Sequence, residues 1–271
     1  MIYQTYTADT ELASFVKCYW VLESPAEQIP VRQRIVPDGC MEMIFHYGDL
    51  YKQYLSADES IIQPRCFVFG QITDTLEIEP TGSSGIFSVR FYPDGFLPFA
   101  SMPIRDMDNK AVSLQQLYGE QGLELENAVL AAPSAESRIV LVEAFLLRKL
   151  QEAETVNNII RSTIDTILTA NGQLSVNELS ARLKVNRRQL ERNFAEAVGL
   201  SPKQLSRIIR LQATLRLLLT NQFTSLTALA YEGNYYDQAH FIKDFREFTG
   251  HTPREFYGDH LKFSSLFIGT D

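Results

Sequence analysis

The stretch SLTALAYEGNYYDQAHFIKDFREFTGHTPREF, residues 225–256, decides the fold of the C-terminal part of the chain. Ser225 can cap a helix of about two turns, and Gly233 or Asn234 can close the turn that follows in the left-handed conformation. The next helix carries phenylalanines at helical spacing on its inner face, namely Phe241, Phe245 and Phe248. The stretch therefore predicts a helix-turn-helix unit.

The same pattern occurs once more upstream, in SVNELSARLKVNRRQLERNFAEAVGLSPKQL at residues 175–205. Both copies end in G-x-[ST]-P, which supplies a glycine C-cap, a Ser or Thr N-cap and a proline at the first position of the next helix. Leu179 matches Leu229 at an offset of 50, and Gly199 matches Gly250 at an offset of 51, so one inserted residue falls in the turn. The recurrence predicts two tandem helix-turn-helix units.

The segment between the copies, residues 202–220, carries apolar side chains at helical spacing, while its arginines lie mainly on other faces. This pattern predicts one amphipathic linker helix of about 19 residues, or roughly 28 Å. Successive major grooves on one face of DNA lie about 34 Å apart. A rod of this length can therefore hold one helix in each of two adjacent grooves, which simpler helix-turn-helix proteins achieve by forming dimers.

Charge is distributed unevenly along the chain, whose total of 271 residues has a formal net charge of −8. Residues 1–154 carry a net charge of −11, residues 155–257 carry +4, and residues 258–271 carry −1. An acidic body joined to a basic segment is the asymmetry expected when only one domain approaches a polyanion. The helical repeat is therefore the candidate for contact with nucleic acid.

Residues 157–257 resemble the DNA-binding domain of the AraC/XylS family of bacterial transcription regulators, chiefly through the second copy and the G-x-[ST]-P ends. Asn234 and Tyr235 stand where the family usually has glycine followed by an aromatic residue, and Asn also tolerates the left-handed turn. Residues 34–49 (RIVPDGCMEMIFHYGD) and 88–96 (SVRFYPDGF) resemble an N-terminal domain of unknown function found in a subset of these regulators. The resemblance implies a sequence-specific DNA-binding regulator and names no effector.

The outward positions of the second helix in each unit are candidates for contact with DNA bases, because Arg can pair with guanine, Gln with adenine and a carboxylate with the cytosine amine. The resemblance places Arg188 and Arg192 at base-reading positions. The base-reading candidates are Arg188, Gln189, Glu191, Arg192, Gln238, His240 and Lys243. The candidates for phosphate contact are Arg187, Lys203 and Arg207. An ordinary solvated helix face is the alternative interpretation of each side chain.

From Phe15 to about Tyr92 the chain contains short runs of β-branched and aromatic residues between Pro, Gly and Asp: FVKCYWVLE, RIVPDG, CMEMIFHY, CFVFGQ, TLEIEP and GIFSVRFYP. Such runs predict a mostly antiparallel β-rich domain, followed by helices of which the longest covers residues 136–152. The predicted fold class is α+β. We place the β-rich sensor or dimerisation domain at residues 1–154, the all-α domain of two helix-turn-helix units and their linker helix at residues 155–257, and a tail at residues 258–271.

The β-rich domain also contains candidates for a ligand pocket: Trp20, Arg34, Glu42, Phe45 and Arg90. Aromatic residues at strand spacing equally form an ordinary core, and the charged candidates, together with Asp38, can form structural ion pairs. Cys40 fits a buried structural thiol better than a sensor of oxidants, because nothing around it in the sequence favours a thiolate.

Several functional classes are disfavoured. The three cysteines form no CxxC pair, and His46 is the only histidine before His240, so we expect neither a disulfide-stapled fold nor a catalytic metal centre. We expect no cofactor and no enzymatic activity, because the chain lacks G-x-S-x-G, a P-loop and a dinucleotide fingerprint. A protein-interaction adaptor, or an enzyme built on the β-rich domain, is the alternative to a regulator.

The expected partners follow from the regulator interpretation. They are double-stranded DNA, a small-molecule effector, RNA polymerase if the protein is an activator, and a second copy of the chain, for which the helix at residues 136–152 is a candidate surface. The same helix can also pack internally. No segment approaches 18 uninterrupted apolar residues and the N-terminus lacks a secretory pattern, so we expect no membrane association and a cytoplasmic location.

Overall fold

The N-terminal half of the chain is built mainly from β-strands. The computed structural model describes residues 1–27, 30–56, 58–152, 158–219 and 225–259. Its strands are β1 (Ile2–Tyr6), β2 (Val16–Ser24), β3 (Gln33–Ile35), β4 (Met41–His46), β5 (Tyr51–Tyr54), β6 (Ser60–Ile62), β7 (Cys66–Phe69), β8 (Leu76–Pro80), β9 (Ser84–Phe91) and β10 (Ala111–Ser113).

These strands form two sheets, and every described pairing is antiparallel. One sheet has the order β1-β2-β9-β4-β7-β10, and the other has the order β3-β8-β5-β6. The prediction of a mostly antiparallel β-rich domain is confirmed. Three helices follow the strands: α1 (Leu114–Tyr118), α2 (Glu120–Ala131) and α3 (Ala135–Glu152).

The larger sheet is buried on both faces, and strand alternation assigns its side chains to two different cores. One face packs with α1, α2 and α3 and includes Tyr19, Met43 and Phe87. The other face meets the smaller sheet through a separate apolar cluster of Trp20, Leu22, Tyr51 and Ile86. The space between the two sheets is therefore lined by alternate residues of β2, β4 and β9.

The C-terminal half is helical. Its helices are α4 (Asn158–Thr169), α5 (Val176–Leu183), α6 (Arg187–Val198), α7 (Pro202–Leu219), α8 (Leu226–Glu232), α9 (Gln238–Thr249) and α10 (Pro253–Asp259). Helices α5 and α6 form one predicted unit, α8 and α9 form the other, and α7 is the predicted linker helix. Leu190, Phe194 and Val198 of α6 and the three phenylalanines of α9 share one buried core, as expected.

The repeated end signals of the two units are formed as the sequence predicts. Gly199 and Gly250 end the second helices in the left-handed conformation. The turn inside the second unit takes its positive φ at Asn234, at 55°, and not at Gly233. The first unit makes the same turn with Lys184 at a φ of 53°. A non-glycine residue in this conformation is uncommon, and the repeat uses one at both turns.

Parts of the predicted domain limits fall outside the described residues. The boundary between residues 154 and 155 lies within 153–157, and the predicted end of the linker helix lies within 220–224. Helix α10 runs to Asp259, while residues 260–271 of the predicted tail also lie outside. Within the described ranges, no helix is long and apolar enough to cross a membrane.

Candidate DNA-binding surface and ligand cavity

Helix α6 presents most of the base-reading candidates to solvent. Asn186 caps the helix, and its side-chain oxygen accepts a hydrogen bond from the Gln189 amide at 3.2 Å. Arg188 and Arg192 lie exposed one turn apart on the helix. Among the described residues, no hydrogen bond or ion pair holds either guanidinium group. Both groups are therefore available for a bidentate contact with a base or a phosphate.

Arg187 and Glu191 instead engage each other on the same helix. The Arg187 Nε donates to Glu191 Oε1 at 3.2 Å, and its Nη1 donates to Asn177 Oδ1 of helix α5 at 3.0 Å. Both partners are solvent-accessible, so this ion pair adds little stability. The bonds orient Arg187 across the groove between the two helices of the first unit.

Helix α9 begins at a tight cap. The Asp237 Oδ1 accepts a hydrogen bond from the His240 amide at 2.7 Å. The Gln238 side chain accepts one from the Thr227 hydroxyl of helix α8 at 3.0 Å, so this base-reading candidate is partly engaged within its unit. Lys243 is exposed further along the same helix. The second unit thus offers fewer unengaged polar groups than α6 does.

Arg207 of linker helix α7 is held by two carboxylates of α9. Its Nη2 lies 2.9 Å from Asp244 Oδ1 and 2.8 Å from Glu247 Oε2, and its Nη1 lies 2.9 Å from Glu247 Oε1. Hydrogen bonding to Arg207 lowers the pKa of the Glu247 carboxyl. Because Asp244 is almost completely buried, Arg207 fixes α9 on α7.

A cleft of about 690 Å³ lies between the two helix-turn-helix units. Its wall includes the start of helix α5, and its charged lining residues are Arg187, Lys203, Arg207, Arg210, His240, Lys243, Asp244 and Glu247. Five permanent cations thus face two carboxylates around one cleft. All three phosphate-contact candidates and two of the base-reading candidates meet here. Arg210 was not among the predicted phosphate contacts, although it lies about one helical turn beyond Arg207.

A second cavity lies in the N-terminal domain, between the two sheets, and has a volume of about 90 Å³. Four of the five pocket candidates line it: Trp20, Arg34, Glu42 and Arg90. Phe45 does not, and belongs to the core between the large sheet and the helices. The prediction that Phe45 lines the pocket is therefore wrong. Successive residues of a strand point to opposite faces, so Phe45, three residues after Glu42, lies on the other face of β4.

The cavity has a charged end built around Arg90, whose side chain is only 3% exposed. Arg90 lies directly opposite Glu42 in the pairing of β9 with β4, and its Nη1 donates to Glu42 Oε1 at 3.0 Å. Its Nη2 donates to Asp38. Burial raises the pKa of Glu42 to about 7, although hydrogen bonds from Trp20 and Ser88 oppose the shift. The sequence left open whether these charged residues line a pocket or form ion pairs, and Arg90 and Glu42 do both.

The cavity is also in contact with the helical domain, since Gln212 of α7 forms part of its wall. The Gln212 Nε2 donates to the Pro37 carbonyl at 2.6 Å. Val36 packs into the core of the helical domain, and a Cβ on Gly39 would meet Leu205 Cδ1 at 2.6 Å. Gln212 was not among the predicted pocket residues, although a polar amide on the apolar face of an amphipathic helix can be recognised in the sequence.

Two further polar contacts join the domains. The Arg161 Nε of α4 pairs with Asp94 Oδ2 at 3.1 Å, and the Arg34 Nη1 donates to the Thr249 carbonyl at 3.0 Å. Burial raises the pKa of the Asp94 carboxyl, and Arg161 opposes that shift. No group of three or more His, Cys, Asp or Glu within the described part of the chain is arranged to hold a metal ion.

Comparison with known families matches two parts of the chain. Residues 4–113 match a domain of unknown function, DUF6597, and residues 179–258 match a helix-turn-helix domain family. No curated protein matches the chain.

Solved structures of regulators show likeness at low identity. ToxT from Vibrio cholerae is 13% identical, over 92% of this chain and 98% of that one, with a TM-score of 0.47. The C-terminal domain of AraT, a response regulator from Geobacillus stearothermophilus, is 23% identical over 38% and 87%, with a TM-score of 0.36. An AraC-type regulator from Chromobacterium violaceum is 23% identical over 39% and 94%, with a TM-score of 0.35.

The family matches agree with the tandem units and with the charged surface that those units present. The chain is a DNA-binding transcription regulator that joins an N-terminal DUF6597 domain to a C-terminal helix-turn-helix domain.

Proposed function

We propose that the chain binds one face of DNA with both units at once, placing α6 and α9 in successive major grooves. The cleft between the units is the observation that carries this proposal, because cations from α6, α7 and α9 converge there. Helix α7 contains 18 residues and is therefore roughly 27 Å long. That length is suited to the spacing of about 34 Å between grooves.

In this arrangement the sugar-phosphate backbone between the two grooves lies in the cleft. Lys203 and Arg210 contact phosphate directly, together with Arg187. The beginning of α5, capped by Ser175, adds backbone amides to the same wall. Arg207 holds α9 in place, so its role as a phosphate contact is secondary to its role as a clamp.

Base recognition falls mainly to α6. Arg188 and Arg192 are the principal base-reading residues, because both are exposed and no contact within the described chain engages them. Gln189 and Glu191 flank them, and on α9 the corresponding residues are Gln238, His240 and Lys243. Since the helical domain has a net charge of only +4, specific contacts supply much of the affinity.

We further propose that a small molecule in the N-terminal cavity modulates DNA binding through α7. Gln212 lines the cavity from one side of α7, while Lys203, Arg207 and Arg210 line the cleft from the other. A ligand that displaces the loop at residues 36–40 therefore acts on the helix that joins both DNA-reading units.

The remaining partners complete the proposal. The protein acts in the cytoplasm, where bacterial DNA lies, and as an activator it contacts RNA polymerase. Helix α3 packs internally through Val142, Phe145 and Leu146, which leaves its Val140, 65% exposed, as the place to test for a homodimer. Sedimentation of the wild-type chain against Val140→Asp tests that contact, and identical monomeric behaviour of the two excludes it.

Hydroxyl-radical footprinting on the DNA upstream of genes near the protein's own gene tests the two-groove proposal. We expect two protected patches on one face of the duplex, about one helical turn apart. Lys203→Gln should weaken binding to all sequences, whereas the exposed Arg254 of α10 serves as a matched control through Arg254→Gln. A single protected patch contradicts simultaneous use of both units, and no protection anywhere favours the protein-interaction adaptor.

A further inference from the structure

The second helices of the two units correspond to each other residue by residue. Helices α6 and α9 each contain 12 residues, and every position of α9 lies 51 residues after its counterpart in α6. The N-caps are Asn186 and Asp237, and the left-handed C-caps are Gly199 and Gly250. Because both helices begin and end at matching residues, matching side chains occupy the same place in their units.

A hydrogen bond between the two helices of each unit supports this correspondence. In the first unit the Arg187 Nη1 donates to Asn177 Oδ1 of α5 at 3.0 Å. In the second unit the matching residue of α9, Gln238, accepts a hydrogen bond from the Thr227 hydroxyl of α8 at 3.0 Å. The first residue of each second helix is therefore turned towards the first helix of its unit, so α6 and α9 have the same rotation about their own axes.

The residue that follows differs in chemistry between the units. It is Arg188 in α6 and Ala239 in α9, and both side chains are exposed. Further along, Ile242 of α9 is half-buried and stands where α6 has Glu191. An alanine side chain is a single methyl group, so it cannot form hydrogen bonds with guanine or adenine as arginine or glutamine does. Where α6 has a proposed base-reading arginine, α9 therefore offers an apolar contact.

An exposed aromatic ring precedes the same helix. Tyr236 lies directly before the N-cap of α9 and is 88% exposed. The matching residue of the first unit, Val185, is half-buried and packs against the core of the helical domain. Lys243, one turn after Ala239, lines the cleft, so this side of α9 is the side that the proposed DNA contact uses. Since the first residues of a recognition helix are those that reach base edges, Tyr236 and Ala239 are placed to meet a base.

We propose that α9 recognises the C5-methyl group of thymine through the methyl group of Ala239 and the ring of Tyr236. Among the four bases, thymine presents a methyl group in the major groove, and alanine and phenylalanine side chains contact it there. This inference rests on the proposed function, since α9 must lie in a major groove to reach the methyl group. The two half-sites then differ, with guanine at the positions read by Arg188 and Arg192 and thymine at the position read by Ala239.

Uracil in place of thymine tests this recognition, because the two bases differ only in the C5-methyl group and pair with adenine alike. Each thymine within the two protected patches of the footprint is replaced in turn, and fluorescence anisotropy measures the affinity of the full chain. We expect one position at which uracil weakens wild-type binding about fourfold, the effect of losing one buried methyl group. Equal binding of thymine and uracil at every position overturns the proposal.

Variants of α9 show whether this helix reads that position. In the double variant Tyr236→Ala, Ala239→Gly, thymine and uracil should bind equally there, whereas Tyr236→Phe, which keeps the ring, should retain the difference. Tyr231→Ala is the matched control and should also retain it, because Tyr231 is exposed but lies on α8. A difference that persists in the double variant, or that disappears in Tyr236→Phe, overturns the apolar contact. The comparison of the two bases on the wild-type chain needs no variant.

The footprint distinguishes failure of thymine recognition from failure of the two-groove placement. Two protected patches without any effect of uracil refute thymine recognition and leave the placement of both units on DNA intact. A single protected patch refutes the placement itself, and thymine recognition by α9 fails with it.

Discussion

Replacing Arg207 separates a structural clamp from a phosphate contact, the two roles that its position allows. In the native chain the Arg207 side chain is only 22% exposed, and its Nη2 lies 2.9 Å from Oδ1 of Asp244, whose side chain is 4% exposed. Arg207→Ala therefore leaves a buried carboxylate without its partner. Breaking a buried pair in this way typically costs about 3–5 kcal/mol.

The expected cost lies at the lower end of that range. The Arg207 side chain is partly exposed and Glu247 is accessible enough to be solvated without it, so Asp244 alone is left as a buried, unpaired carboxylate. We therefore expect Arg207→Ala to lower the free energy of unfolding by about 3 kcal/mol. At roughly 2–4 °C per kcal/mol, the Tm of the full chain falls by about 6–12 °C.

Thermal unfolding followed by circular dichroism measures the change in Tm. Fluorescence anisotropy with labelled DNA at several salt concentrations measures the number of phosphate contacts through the salt dependence of the affinity. Adding Asp244→Asn to Arg207→Ala should restore much of the lost stability, because the neutral amide no longer needs a cation. If the Tm is unchanged while the slope of log K against log salt decreases by about 0.9, Arg207 is a phosphate contact and the clamp is refuted.

Three further predictions concern base reading, the domain contact and the cavity. Arg192→Ala should cost about 1–3 kcal/mol on the operator and relax the preference at one base pair, and an equal loss on random DNA in the same titration would exclude base reading. Gly39→Ala should lower the Tm and expose the domain junction to proteolysis, because its φ is 81° and the new Cβ would meet Leu205 at 2.6 Å. Wild-type stability and protease resistance would show that this contact is dispensable. Burial raises the pKa of Glu42 from 4.5 to about 7, so the folded state binds the proton more tightly than the unfolded state does. Its contribution to stability should therefore fall as pH rises from about 4.5 to 7 and stay level above that window. The pH profile of Glu42→Gln should lack this decline, and identical profiles for the two chains would assign the decline to other groups.

The helical half was predictable because its signals are local. Each cap, turn and helix end depends on residues no more than five positions apart, so the repeat specifies them without knowledge of the tertiary structure. Ser175, for example, accepts a hydrogen bond from the Glu178 amide while the Glu178 carboxylate accepts one from the Ser175 amide. The left-handed turn at Asn234 is also a local feature, because Asn tolerates a positive φ better than most other residues do.

The sheets were only partly predictable. Strands β5 and β6 were missed because YKQY lacks an alternating apolar pattern and SII is only three residues long. Both segments are strands because of their tertiary pairing: β5 pairs with β8 on one side and with β6 on the other. Strand β1 lies N-terminal to the predicted region and is stabilised by its pairing with β2.

The cavity shows most clearly what a one-dimensional pattern leaves out. Trp20, Glu42 and Arg90 share one face of the large sheet because β9 pairs with both β2 and β4 in a fixed register. Phe45 is also an aromatic residue in a predicted strand, but its side chain lies on the opposite face of the sheet, away from the cavity. Only the alternation of side chains along each strand separates Phe45 from the three lining residues, and applying it requires the exact strand limits.

Helix α7 connects the N-terminal cavity with the cleft between the two helix-turn-helix units, which is the connection that the proposed regulation needs. At 100° per residue, Lys203, Arg207 and Arg210 cluster on one side of α7, whereas Leu205, Ile209 and Gln212 cluster on the opposite side. The first side lines the cleft, and the second meets the loop at residues 36–40 and the cavity. Because both units pack on α7, a displacement at its cavity side moves the two units together and does not need to change either unit's internal structure. In the proposed mechanism, regulation through this helix acts on how the pair of units approaches DNA, and we assign base recognition within each groove to α6 and α9.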